Sequence, residues 1–106
     1  MGARRILVAN ELTSYRQAIA LAIRELRPEL EVFEAAPDVL DGEVARLGPD
    51  LVICSRVTRT VEQRVTNWVE LYPECKFYST FSVGGERRAL EEVQLSDLLS
   101  LCASLP

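Results

Sequence analysis

Apolar residues along this chain fall into short continuous runs, separated by longer stretches in which they recur every three or four positions. Residues 4–9 (Arg-Arg-Ile-Leu-Val-Ala) end at polar Asn10-Glu11, the mark of a strand buried on both faces. From Thr13 or Ser14, either able to cap, the spacing of Tyr15, Ile19, Ala22, Ile23 and Leu26 predicts a helix to Arg27 that Pro28 stops. Residues 30–35 alternate like a strand with one wetter face, which suits a sheet edge. Pro37 opens a second helix through Leu47, with Leu40, Val44 and Leu47 facing inward and Gly48-Pro49 ending it.

A third strand is expected over 50–55. Beyond the polar loop 56–60, Val61, Val65, Trp68, Val69 and Tyr72 stand at helical spacing, predicting a third helix that Pro73 ends. A fourth strand is expected over 75–80. Residues 82–88 carry no apolar periodicity, so a fourth helix is short or missing, and a fifth strand follows over 89–94. Ser96 then caps a last helix to Leu105, whose Leu98, Leu101, Cys102 and Leu105 face the sheet. Strands alternating with helices at these lengths imply parallel strands and right-handed crossovers, hence an α/β domain with a five-stranded, doubly wound parallel sheet. Ligands bind such sheets at the carboxyl ends of the strands, which singles out Asn10, Glu11, Ser55, Arg56 and residues 79–82.

The 106 residues suffice for one core, so residues 1–106 read as a single domain. A hydrophobic share of 48% with 26% charged residues is that of an ordinary globular protein. The net charge of −4 gives no global field favouring a phosphate backbone, so nucleic acid is not an expected partner. No apolar run approaches the roughly 20 residues of a spanning helix, and the run after Arg4-Arg5 ends too soon for a signal peptide, so a cytoplasmic chain without membrane contact is expected. Cys54, Cys75 and Cys102 lack CxxC spacing and read as buried thiols; Cys54 and Cys75, at opposite ends of neighbouring parallel strands, stand too far apart for a bridge. The chain has no histidine, which removes the usual general base and soft metal ligand. Gly84-Gly85 lacks the Lys-Ser/Thr of a phosphate loop and reads as a turn, Arg4-Arg5 and Arg87-Arg88 read as solvated charges, and Trp68 reads as core. No cofactor or metal is expected.

The segments "RRILVANEL", "LGPDLVICS" and "LYPECKFYST" make the chain resemble the receiver domain of bacterial response regulators over nearly its whole length. The resemblance implies a flavodoxin-like strand order 2-1-3-4-5 and a pocket whose parts can be checked one by one. The family's Mg²⁺-binding acidic pair falls on Asn10 and Glu11, its phosphoacceptor aspartate on Ser55, its sensing hydroxyl on Thr80 or Ser79, and its lysine near Gln94. Lys76 falls at the other end of the sheet and cannot substitute. One carboxylate is a poor site for Mg²⁺, and a serine hydroxyl without a base is a poor nucleophile.

The resemblance therefore implies a pseudo-receiver, a two-component-type signalling module that works by protein-protein contact without aspartyl phosphorylation and is not an enzyme. Ser55, Ser79 and Thr80 otherwise read as local backbone caps, and Asn10-Glu11 as a polar strand end. The leucines of the last segment lie on more than one face, so Leu95, Leu98 and Leu99 are candidates for binding a protein partner or a second copy through the face of strand four, strand five and the last helix. Two other readings stand beside this one. A small ligand or anion could regulate the degenerate pocket, or the chain could be a small α/β enzyme of unrecognised chemistry.

Overall fold

The computed structural model describes residues 4–72 and 78–105. Among them, the elements follow in the order β1 (Arg5–Ala9), α1 (Thr13–Leu26), β2 (Glu31–Glu34), a 3-10 turn (Pro37–Val39), α2 (Leu40–Leu47), β3 (Leu51–Cys54), α3 (Arg59–Arg64), β4 (Trp68–Glu70), β5 (Ser79–Val83), β6 (Glu86–Leu90) and α4 (Leu95–Ala103). One six-stranded sheet has the order β2-β1-β3-β4-β5-β6. The first four strands in this order are parallel, as expected for a doubly wound unit. β5 runs antiparallel to β4, and β6 antiparallel to β5. The sheet is thus mixed, which corrects the all-parallel expectation.

The core lies in two layers. Ile6, Val8, Leu51, Ile53, Val69 and Phe81 point to the face covered by α1 and α4, where Ile19, Ile23, Leu98 and Cys102 meet them. Leu7, Ala9, Val52, Cys54 and Trp68 point to the other face, against Leu40, Val44 and Leu47 of α2 and Val61 of α3. β1 and β3 are buried on both sides, which explains their unbroken apolar runs. β2 is an edge strand, as expected, but has no single wetter face: Val32 packs in the first layer and Phe33 in the second, while Glu31 and Glu34 at its ends are exposed.

Helix boundaries differ from the expected ones where side-chain chemistry competes with periodicity. α1 starts after Leu12, without a side-chain cap from Thr13 or Ser14, and its Tyr15 and Leu26 are exposed while Ile19, Ala20 and Ile23 are buried. Gly48 ends α2 in the left-handed region (φ 57), as its position predicts. The expected helix over 61–72 is contradicted. α3 is a short helix capped by Thr58, whose Oγ1 accepts the Val61 N–H at 3.2 Å, and it stops at Arg64. Residues 68–70 then form β4, parallel to β3. Trp68 and Val69 are buried, on opposite faces of a strand rather than on one face of a helix.

The expected fourth strand over 75–80 falls partly outside the described residues, as do Cys75 and Lys76; its end, Ser79-Thr80, opens β5. Gly84 and Gly85 (φ 58 and 91) close a two-residue turn of the I′ kind between β5 and β6. That hairpin replaces a fourth crossover helix and puts the last strand at Glu86–Leu90, earlier than the expected 89–94. The last helix begins at Leu95, and its first turn is closed by the Gln94 N–H donating to Asp97 Oδ2 at 2.8 Å, not by Ser96.

Candidate functional site

The carboxyl ends of β1, β3 and β4 share one rim. Ala9, Cys54, Glu70 and Thr80 lie in a single row across the sheet, and Asn10 and Ser55 continue β1 and β3 one residue beyond it. β5 starts at this rim and runs away from it, so Ser79 and Thr80 lie at the top, whereas Phe81 and Ser82 descend. Ser82 is opposite Trp68 and its hydroxyl donates to the Thr66 carbonyl, which removes it from the expected rim.

Within the rim, Asn10, Glu11 and Ser55 come together. Ser55 Oγ accepts the Glu11 N–H at 2.8 Å, tying the loop after β1 to the loop after β3. The Glu11 side chain is exposed. Arg16 reaches back from α1 to donate to the Asn10 carbonyl at 3.0 Å. Asn10 is 1% exposed, and neither Nδ2 nor Oδ1 has a hydrogen-bond partner among the described residues. A buried amide without partners costs about 1–3 kcal/mol of stability, so this position is not optimised for folding.

The other expected pocket residues stand apart. Thr80 is two strands from Cys54, about 10 Å at ordinary strand spacing. Ser79 is fully buried, and its Oγ accepts the Tyr72 N–H at 2.9 Å. Gln94 is exposed at the start of α4. Tyr72 takes a left-handed backbone (φ 43), and its hydroxyl accepts the Val93 N–H at 2.8 Å. Burial, followed by the neighbouring Tyr72, holds the Tyr15 hydroxyl above its ordinary pKa.

Glu70 belongs to the rim and escapes the sequence reading, because the helical spacing of its neighbours places it in a helix. Its carboxylate accepts the Val57 N–H at 2.8 Å and orders the loop after β3. The signal for it lies in Val65-Thr66-Asn67, a β-branched pair and a turn former ahead of a five-residue apolar-rich run. Cys54 lies beneath the rim, and burial, then the charge of Glu70, pushes its thiol up to about 12. Cys102 is also raised, chiefly by burial, and lies on the opposite face of the sheet from Cys54. Among the described residues, no three His, Cys, Asp or Glu side chains gather as metal ligands would, and no helix is long and apolar enough to cross a membrane.

The candidate partner residues differ from one another. Leu95 is 39% exposed, Leu99 is partly buried against the core, and Leu98 is 4% exposed within it, so Leu98 supports the helix and has no free surface. No family model, curated protein or solved structure matches the chain.

Proposed function

We propose that this chain is a receiver-like signalling module that works through protein contact, without aspartyl phosphorylation. The reading rests on one observation: at the carboxyl-end rim of the parallel strands, the positions that a phosphoacceptor and one metal-binding carboxylate would take carry no charge. Ser55 anchors the Glu11 N–H, and Asn10 is an uncharged, buried amide. The order β2-β1-β3-β4 of the parallel strands, with helices on both faces, supports the kinship. The antiparallel hairpin β5-β6 departs from an all-parallel receiver sheet and remodels its far edge, which suits a module whose output is a surface.

A second reading, control by a small ligand or anion at the rim, draws on the unpartnered Asn10 side chain. Thermal denaturation with Mg²⁺ and beryllofluoride separates the two, because a ligand of the native state raises the melting temperature by mass action. An unchanged melting temperature up to millimolar ligand is expected. A rise that Asn10→Val abolishes would replace the first reading with the second.

A further inference from the structure

We infer that the free edge of β6 pairs with β6 of a second copy, antiparallel and centred on Arg87, joining two sheets into one. The inference rests on the reading that the module works by protein contact, and it names the surface and the partner.

Among the described residues β6 is the last strand of the sheet, and Glu86, Arg87, Arg88 and Ala89 are all exposed. α4 lies beside one face of β6 and leaves Glu86 to Ala89 exposed: Leu90 alone of the strand is partly buried against the cluster of Leu98, Cys102 and Phe81, and a groove of about 310 Å³, lined in part by Glu86, Arg88, Asp97 and Leu101, opens between helix and strands. The hairpin fixes which backbone groups face outward. In a two-residue turn the closing pair, Val83 with Glu86, is hydrogen-bonded, and bonding then alternates, so Arg88 and Leu90 bond back to β5. Arg87 and Ala89 therefore present their N–H and C=O groups to the open edge.

Those two residues allow three antiparallel registers about a two-fold axis. Arg87 opposite Ala89 puts Arg88 against Arg88 in a close pair with Cα atoms about 4.5 Å apart, which like charges oppose. Ala89 opposite Ala89 sets each Arg88 against Leu90 of the other copy, with no counter-charge. Arg87 opposite Arg87 instead sets Glu86 of each copy against Arg88 of the other, twice. The Arg88 side chain has no ion pair or hydrogen bond among the described residues, so its charge is available for this contact. Each Arg87 already carries its own counter-charge, with Nη2 at 2.8 Å from Glu62 Oε1 and its guanidinium 5.5 Å from the Trp68 ring centre, so the central pair is neutralised within each copy. Charged edges deter indiscriminate pairing, and here the same charges select one register. The opposite edge, β2, offers no such contact, since Glu31 and Glu34 are taken by Arg5 and Arg24.

The test is sedimentation or light scattering over a concentration series, with four samples beside the wild type. Glu86→Arg and Arg88→Glu are exposed changes, and each alone is expected to weaken dimerisation by about tenfold or more. The double variant E86R/R88E is expected to dimerise like the wild type. An equimolar mixture of the two single variants is expected to form a heterodimer, because E86R is positive at both positions of the contact and R88E is negative at both. A wild-type monomer at every concentration, open-ended oligomers, or single variants that dimerise as well as the wild type would overturn the inference. None of these results bears on phosphorylation, so the proposed function and the inferred edge contact fail separately.

Discussion

Asn10 is the rim residue whose side chain works against folding. Its amide is buried without a partner among the described residues, so Asn10→Val removes an uncompensated desolvation while leaving intact the carbonyl that Arg16 binds. A gain of about 1 kcal/mol is expected, read as a melting temperature higher by about 4–8 °C. Cys54 makes a second prediction, with its sign set by burial. Its thiol is held near 12 when folded, against an ordinary value of 9.0, so the unfolded chain releases this proton first as pH rises. The contribution is whole below pH 9 and is lost between 9 and 12, at up to about 1.4 kcal/mol per pH unit. Urea unfolding at pH 8, 9 and 10 should show a steeper alkaline loss in the wild type than in Cys54→Ala. The same protonation makes the native thiol inert, and iodoacetamide at pH 8 should label Cys54 only after unfolding.

At the scale of elements, periodicity is a good guide where packing is two-sided and a poor one where a short element stands next to a turn. β1, α1, β2, α2 and β3 are legible because Pro28, Pro37, Gly48 and Pro49 punctuate them and their apolar faces match the layers they meet. The stretch after Arg59 is not. Val61, Val65, Trp68 and Val69 fit a helical period and also fit a cap, one turn of helix and a strand, and tertiary pairing with β3 decides between them. Thr58 is the residue that starts α3, accepting the Val61 N–H and donating to Asp41 Oδ1 at 2.7 Å. Thr58→Ala should cost about 1 kcal/mol in denaturant unfolding. The β5-β6 hairpin is half legible: Gly84-Gly85 reads as a turn, but nothing in the polar run after it distinguishes a returning strand from a missing helix. Gly85 sits at φ 91, where a side chain is strained even though space is open, and Gly85→Ala should cost about 1–2 kcal/mol. Of the rim, Asn10, Glu11 and Ser55 follow from the strand ends, whereas Glu70 has no place there until β4 is known.

The whole molecule joins a parallel, doubly wound half to an antiparallel edge, and the two halves have different properties. The parallel half ends in a rim whose hydroxyl and amide hold backbone or stay buried, with Glu11 turned to solvent. The antiparallel half ends in an exposed, charged strand, the edge inferred to pair with a second copy. In the proposed reading the module signals by contact and not through a phosphoryl group on Ser55, and a ligand biases such a module only if it prefers one of two states. The most direct measurement is mass spectrometry of the purified chain after incubation with acetyl phosphate and Mg²⁺. An unmodified mass is expected, and a Mg²⁺-dependent acyl phosphate on the polypeptide would contradict the account.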